Sequence, residues 1–225
     1  MTQQEQIRQE QEAQIAAPPK PHQRLVQSIS NIFHPLLTLT YTAIIISVFT
    51  LVRLMPFQYK AWFVGIVAIY TLVLPALIIT LLHITGFIGH WALRDRRDRM
   101  VPFFTNFVCY TACAYLLYND DNLPNWVVMP YAGSVFLTFV AWIVSWKWKI
   151  SAHAAANAAG ATYFLLLYRY FMDDIPLWLP LFAIIVVGAV CSTRIYLGRH
   201  TLAQVSLGTL LGIVSILLAD AIFIG

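Results

Sequence analysis

The residues best suited to chemistry lie within residues 191–212, where a charged segment interrupts two long apolar runs. Arg194 and His200 are six positions apart in this segment, and Gln204 follows four positions later. Charged side chains beside a membrane-spanning helix usually face a protein interior or an aqueous pocket, so they indicate a functional site. On a helix that begins near Thr201, His200 and Gln204 are one turn apart and can touch. Such a partner fixes which ring nitrogen of the histidine reacts.

Two further polar clusters could complete a site. One contains Lys149, Ser151 and His153. The other is a run of arginines ahead of Pro102, formed by Arg94, Arg96, Arg97 and Arg99. Planar guanidiniums bind two phosphate oxygens at once. Ser151 is placed to cap the alanine-rich helix that follows it, and the free backbone N–H groups at the start of that helix attract an anion. Brought together, the three clusters predict a phosphate site.

Two histidines beside a bound phosphate can divide the chemistry of its transfer. His200 would attack phosphorus to form a phosphohistidine, and His153 would protonate the leaving oxygen. Arginines can neutralise the charge that develops in the transition state. The chain has no His-x-Glu or Cys-x-x-Cys spacing typical of a zinc site. We therefore expect catalysis without a metal ion or another cofactor.

The composition is that of a membrane protein. The chain has 225 residues, of which 60% are hydrophobic and 11% are charged, and its mean hydropathy is +0.70. No repeat is visible. We expect an all-α fold, a polytopic membrane helical bundle with about six to seven transmembrane helices. Residues 1–33 are predicted to be a disordered polar tail, and residues 34–225 a single transmembrane domain that contains motif regions 94–102, 149–153 and 192–204.

Apolar runs long enough to cross a bilayer fill the chain after the tail. Seven are predicted, at 35–55, 61–91, 103–118, 126–146, an alanine-rich run ending near 171, 177–196 and 201–225. The three polar clusters follow the second, fourth and sixth runs. By parity they share one face of the membrane.

That face is predicted to be cytoplasmic. The amino terminus has no apolar signal-peptide core, which favours a cytoplasmic tail, and the tail shares its face with the clusters. Lysine and arginine are more frequent on this face, as the positive-inside rule requires. We expect a multi-pass protein of a bacterial inner membrane.

In these motifs the chain resembles the type 2 phosphatidic acid phosphatase superfamily of integral-membrane lipid phosphatases. The third family motif, Ser-Arg, five residues, His, three residues, Asp, corresponds to Arg194, His200 and Gln204. In the second, Pro-Ser-Gly-His, Ser151 and His153 match, while Ile150 and Ala152 replace proline and glycine. The first motif, Lys, six residues, Arg-Pro, is the most degenerate. Anchored on Pro102, it has Arg94 at the lysine position and Val101 at the arginine position.

The resemblance implies a role for each matching residue. His200 would be the nucleophile and His153 the general acid. The phosphate ligands would be Arg194, Ser151, Arg94, and Arg96 or Arg99 from an adjacent turn. Lys149 matches no motif position and is a further candidate ligand because of its ammonium group. Gln204 replaces the aspartate that orients the nucleophile, and an amide can orient a histidine but carries no charge.

The leading hypothesis is a metal-independent phosphatase of lipid phosphates or diphosphates. Phosphatidate, phosphatidylglycerol phosphate and polyprenyl phosphates or diphosphates are candidate substrates, among which the sequence does not choose. A lipid phosphotransferase, a pseudophosphatase that binds or moves anionic lipids, and a purely structural membrane protein are the alternatives. Membrane lipids that carry phosphate are the expected partners, with no nucleic acid. Gly208 and Gly212 form a small-residue helix face that could also support a homodimer.

Overall fold

The structure is a computed structural model, and it describes residues 21–86, 96–172 and 174–225. This part of the chain is helical, which confirms the all-α prediction. Its helices are α1 (Pro21–Ile32), α2 (Pro35–Phe49), α3 (Phe57–Ile84), α4 (Arg96–Tyr118), α5 (Asn125–Val144), α6 (Ala152–Tyr170), α7 (Trp178–Tyr196) and α8 (Leu202–Phe223). Helix α3 includes a π turn at Ile69–Val73 just before Pro75. The wider turn accommodates the proline, which has no N–H to donate and whose ring crowds the carbonyl four residues earlier.

The helices form a bundle with two chemically different ends. At one end, called the motif end, the Ser151 backbone N–H donates to the carbonyl of Gln204 at 3.4 Å, and Lys149 Nζ donates to the carbonyl of Arg199 at 2.7 Å. At the opposite end, Tyr170 Oη donates to Asp220 and Asn125 Nδ2 donates to the carbonyl of Phe223. An ion pair of Arg53 with Asp174 also lies there, at 3.2 Å. The second and third motifs therefore meet at one end.

The register of the α4–α5 hairpin brings the start of α4 to the motif end. Phe104 packs on Trp142 and Phe107 on Phe139, each pair with ring centroids 5.3 Å apart. This antiparallel pairing places the first turn of α4, which contains Arg96 and Arg99, level with the end of α5 and the segment that follows it.

Helix α6 is the most enclosed helix of the motif end. It packs against α5, α7 and α8, and its alanines allow close approach. A Cβ at Gly208 of α8 would lie 2.6 Å from the carbonyl oxygen of Ser151, and one at Gly212 would overlap the carbonyl oxygen of Ala155. These glycines therefore serve packing within the chain, so the face proposed above for a homodimer is already covered by α6. The homodimer remains a prediction, but this glycine face no longer supports it.

Within the described residues, five helices can cross a membrane by length and composition: α3, α4 from Met100, α5, α7 and α8. Helices α1 and α2, bent by 58° at their junction, would make a sixth. The prediction of seven membrane-spanning runs differs from the structure at α6, whose mean hydropathy is below that of the candidate membrane-spanning helices. The reason is its position: a helix surrounded by other helices presents small and polar residues to protein, and it needs little apolar surface for lipid.

The predicted tail is partly structured. Residues 21–32, which the sequence assigned to a disordered segment, form helix α1, and α1 packs against α7. Tertiary packing explains the difference, because a 12-residue helix is marginal alone and is stabilised when one face is buried. Residues 1–20 lie outside the described part of the chain.

Candidate active site

The end of α7 sets the spacing of the third motif. Gly198 has φ +63°, a left-handed conformation that favours glycine. Its N–H donates to the carbonyl of Ile195 at 2.9 Å, and the N–H of Arg199 donates to the carbonyl of Arg194 at 3.1 Å, which is the Schellman pattern of helix termination. The N–H of His200 also donates to the Arg194 carbonyl, at 3.3 Å. The turn thus brings His200 back toward the last turn of α7.

A hydrogen bond then orients the imidazole of His200. Its Nδ1 lies 3.2 Å from Oε1 of Gln204, and the Thr201 N–H donates to the same Oε1 at 3.3 Å. Because that backbone group can only donate, the oxygen of the Gln204 amide must face it and His200. Nδ1 of His200 must therefore carry a proton in this hydrogen bond, which leaves the lone pair of the neutral ring on Nε2.

Gln204 also stabilises the helix on which it stands. Thr201 Oγ1 accepts from the Gln204 N–H at 3.4 Å, which completes a capping box at the start of α8. One side chain therefore caps α8 and fixes the tautomer of His200, and this contact was expected from the sequence.

Arg194 presents its guanidinium to the same end of the bundle. Nη1 donates to Oγ of Ser30 in α1 at 3.0 Å. Nε is buried and has no hydrogen-bond partner among the described residues. A half-buried guanidinium with one buried, unmet donor suits an anionic ligand such as phosphate.

The second motif meets these residues through the start of α6. Ser151 is the N-cap of α6, and its Oγ accepts from the N–H of Ala154 at 3.4 Å. His153 is two residues further along the chain, and the Ser151 N–H donates to the carbonyl of Gln204 at 3.4 Å. The structure therefore brings the histidines and Arg194 together. Lys149 instead holds the loop between α7 and α8 through the carbonyl of Arg199.

The first motif falls mostly outside the described residues. Arg94 lies in the undescribed segment, and for Arg96 and Arg99 only the backbone of α4 is described. Their roles as phosphate ligands remain predictions.

Sequence reasoning missed three residues of this cluster. His34 stands between α1 and α2, and its ring packs edge-on against His153 with centroids 5.1 Å apart. Burial, together with the charge of Arg194, lowers the pKa of His34 below its usual 6.5. Ser30 and Asn157 join α1 and α6 to the same cluster. The His34–Pro35 pair was a usable local signal, since an N-cap followed by proline often opens a helix.

A narrow crevice begins beside the cluster. It is about 530 Å³ in volume, including the space open to its surroundings. Pro35 and Ala152, which adjoin His34 and His153, line it at the motif end, and small residues of α6 from Ala152 to Gly160 form one wall. At about 1.5 Å of rise per residue, the wall is about 12 Å long. Asn106 Oδ1, on a residue that lines the crevice, is buried without a hydrogen-bond partner in the described part of the chain.

In the described ranges, no group of three His, Cys, Asp or Glu side chains is arranged to hold a metal ion. What the arrangement offers is a guanidinium with an unmet donor, an oriented imidazole, a second histidine and a helix N-terminus. This is a set suited to binding a phosphate group and transferring it to nitrogen.

A sequence model of the PAP2 superfamily matches residues 103–223, and the chain belongs to that superfamily. The match includes the second and third motifs and starts immediately after Pro102. No curated protein and no solved structure matches the chain. Members of the superfamily are generally phosphatases. Membership therefore supports a phosphatase-type activity for this membrane protein, in general terms that of a phosphoric ester hydrolase.

Proposed function

We propose that this protein is a metal-independent phosphatase of lipid phosphates or diphosphates that acts through a phosphohistidine on His200. The observation that supports it best is the convergence of Arg194, His153 and the oriented pair His200–Gln204 at one end of the bundle. Three separate segments contribute to this cluster, and each residue has the chemistry that its position requires.

In the first step, Nε2 of His200 forms a bond to phosphorus while the bond from phosphorus to the leaving oxygen breaks. Protonated His153 gives its proton to that oxygen, and an alcohol leaves, or a monophosphate when the substrate is a diphosphate. Arg194 and the N-terminus of α6 stabilise the charge on the other phosphate oxygens. The bound phosphate itself favours protonated His153, because its negative charge offsets the neighbouring guanidinium.

In the second step, water attacks phosphorus and the bond to Nε2 breaks. His153 accepts the proton of that water, inorganic phosphate leaves, and the lone pair returns to Nε2 of His200. Gln204 holds the Nδ1–H of His200 throughout, as a carboxylate would, but it adds no negative charge beside the ring.

The lipid nature of the substrate is supported by the crevice. It begins next to His34 and His153 and runs inward between apolar residues of α2, α4, α5 and α6. A phosphate bound at the motif end would place an attached apolar chain at its mouth. A chain bound there would be removed from water, which favours substrates with a long tail.

The test is phosphate release by the purified protein in detergent with EDTA, over a panel of lipid phosphates and diphosphates. We expect release that persists in EDTA, disappears with His200→Ala and is unchanged with His22→Gln, a control histidine on the exposed surface of α1. Acid-labile phosphate trapped on the parent, but not on His200→Ala, would identify the phosphohistidine. Silence of the parent and of Gln204→Asp on every substrate would refute the phosphatase.

A lipid-binding pseudophosphatase is the second candidate, and the neutral Gln204 favours it. It predicts that binding of a lipid phosphate survives His200→Ala while no variant releases phosphate. The same panel, with binding measured beside turnover, separates the two functions.

The site is proposed to face the cytoplasm, because more lysines and arginines lie at the motif end than at the opposite end. The motif end has Lys147, Lys149, Arg194, Arg199 and the start of α4 with Arg96, Arg97 and Arg99, whereas the opposite end has Arg53, Lys60 and Arg169. Two exposed positions can be replaced by cysteine to test this orientation: Trp146→Cys at the motif end and Asn122→Cys at the opposite end. The cysteines are labelled on intact cells with a maleimide that does not cross the membrane. Labelling at Asn122→Cys only is expected, and labelling at Trp146→Cys only would reverse the orientation.

A further inference from the structure

The junction between α1 and α2, residues 30–34, makes direct contacts with two of the proposed catalytic groups. We call it the elbow. Ser30 is 1% exposed, and its Oγ accepts a hydrogen bond from Nη1 of Arg194 at 3.0 Å. One buried residue of α1 therefore contacts the proposed phosphate ligand directly.

His34 makes the second contact, to the ring of His153. Its Nδ1 accepts from the N–H of Leu36 at 3.3 Å as the N-cap of α2, so the neutral ring carries its proton on Nε2. The His34 ring then meets the ring of His153 edge-on, with an interplanar angle of 82°. A perpendicular neighbour at this distance restricts rotation of the His153 imidazole.

Asn157 fastens the elbow to α6. Its Nδ2 donates to the carbonyl of Phe33 at 3.1 Å and to the carbonyl of His153 at 2.8 Å. Asn157 is 7% exposed, so this bridge is largely shielded from water. The elbow and the first turn of α6 are thus held as one unit.

We propose that the elbow is a positioning element of the active site, in which Ser30 orients Arg194 and the elbow as a whole orients His153 toward the leaving oxygen. This inference rests on the proposed phosphatase function and extends it to a segment that precedes the family match at 103–223. The catalytic unit of this chain would therefore begin in α1. None of the three motifs contains these residues.

The role of Ser30 is tested by Ser30→Ala against the matched control Ser28→Ala. Ser28 lies on the same helix but is exposed and donates only to the carbonyl of Arg24. Loss of one hydrogen bond to a charged group predicts a rise of about tenfold in KM for Ser30→Ala, with a smaller change in kcat. KM equal to that of Ser28→Ala would overturn the role of Ser30.

A second measurement does not require turnover. Inorganic phosphate should raise the unfolding temperature of the parent and of Ser28→Ala, since a ligand of the folded state stabilises it. Ser30→Ala should need about tenfold more phosphate for the same increase. Equal phosphate dependence in the two serine variants would refute the positioning of Arg194 even if the parent released no phosphate from any substrate.

The orientation of His153 is tested by leaving-group dependence. Asn157→Leu removes the bridge, and His34→Asn keeps an N-cap while removing the ring. A nitrophenyl phosphate needs little protonation of its leaving oxygen, whereas a short alkyl phosphate needs it fully. Each variant should lower the alkyl rate about tenfold more than the nitrophenyl rate. An equal loss on both substrates would indicate damage to the fold alone and would overturn the positioning of the acid.

The outcomes separate the two levels of the hypothesis. If neither the parent nor Gln204→Asp releases phosphate from any lipid phosphate or diphosphate of the panel, the proposed function fails, and the phosphate titration still decides the role of Ser30. If the parent is active and the elbow variants match Ser28→Ala, only the elbow fails.

Discussion

At the scale of single residues, Gln204 decides how His200 can react. The amide oxygen accepts from both Nδ1 of His200 and the Thr201 backbone. It therefore reproduces the orienting role of a carboxylate but not its charge. The imidazole ring of a phosphorylated His200 that keeps its Nδ1 proton is positively charged, and a neutral neighbour stabilises that ring less than an anion would.

Two substitutions of Gln204 separate orientation from charge. Gln204→Leu, which loses the tautomer-fixing contact, should lower kcat on the order of a thousandfold. Gln204→Glu keeps the shape and the capping box and adds the charge, so kcat should rise by about tenfold. Steady-state kinetics on one lipid phosphate measures both. Equal kcat for the Leu variant and the parent would contradict the orienting role.

His34 should make the stability of the protein depend on pH. Burial and the neighbouring Arg194 lower the pKa of His34 in the folded state, while the unfolded chain protonates it near 6.5. Between the lowered pKa and 6.5 the unfolded state binds more protons, so the free energy of unfolding falls as pH drops below about 6.5. His153 of α6 and Arg194 of α7 are the charged or titratable groups that face His34.

The measurement is the unfolding temperature in detergent from pH 7.5 to pH 5.5. His34→Asn retains a side-chain acceptor for the N-cap and removes the titration, so its unfolding temperature should fall less over this range. A parallel decline in parent and variant would show that His34 does not contribute.

At the scale of helices, the contact of α6 with α8 determines where the second motif lies relative to the third. Gly208 approaches the carbonyl of Ser151, and Gly212 approaches the backbone of α6 one turn further on. The hydrogen bond from the Ser151 N–H to the Gln204 carbonyl exists only at this separation. Small residues in α8 are therefore part of the geometry of the site.

Adding one methyl group at this contact should weaken the protein. Gly212→Ala forces α6 and α8 apart and should lower the free energy of unfolding by about 1–3 kcal/mol. Gly188→Ala in α7 is the control, because its added Cβ meets nothing within 4 Å, and it should be neutral or slightly stabilising. Gly208→Ala should also reduce kcat, because it displaces Ser151. Thermal unfolding of Gly212→Ala at or above the parent temperature would contradict the close packing.

At the scale of the whole molecule, the crevice connects the phosphate chemistry at one end with the interior of the bundle. Gly160 opens its inner part, since a Cβ there would lie 3.4 Å from Cγ2 of Thr38. The crevice exists because α6 has small side chains where it faces α2, α4 and α5. The length of apolar tail that the enzyme prefers in its substrate should therefore depend on the small side chains of this wall.

Filling the crevice should alter substrate preference and leave the chemistry intact. Gly160→Leu is expected to raise KM about tenfold for a long-chain lipid phosphate, as loss of one buried hydrophobic contact predicts, and to leave kcat/KM for a water-soluble phosphate ester unchanged. Gly65→Leu in α3, where the new side chain meets open space, is the control. Equal losses on long and short substrates would show that the crevice does not hold the tail.

Part of this protein could be predicted from its sequence because the relevant forces are local. The apolar runs predicted an all-α membrane bundle, and helical spacing predicted the contact of His200 with Gln204. Ser151 was predicted as an N-cap from its place before an alanine-rich helix. Each of these features is determined by residues that are close together in the sequence.

The tertiary structure alone decided what depends on distant contacts. Ser30 and Arg194 are 164 positions apart, and His34 belongs to no motif, so no local pattern joins them to the site. Helix α1 forms where a polar composition indicated a tail, and α6 is enclosed by other helices where the sequence predicted one more apolar run long enough to cross a bilayer. In both cases packing against other helices, rather than the intrinsic preference of the segment, determined the outcome.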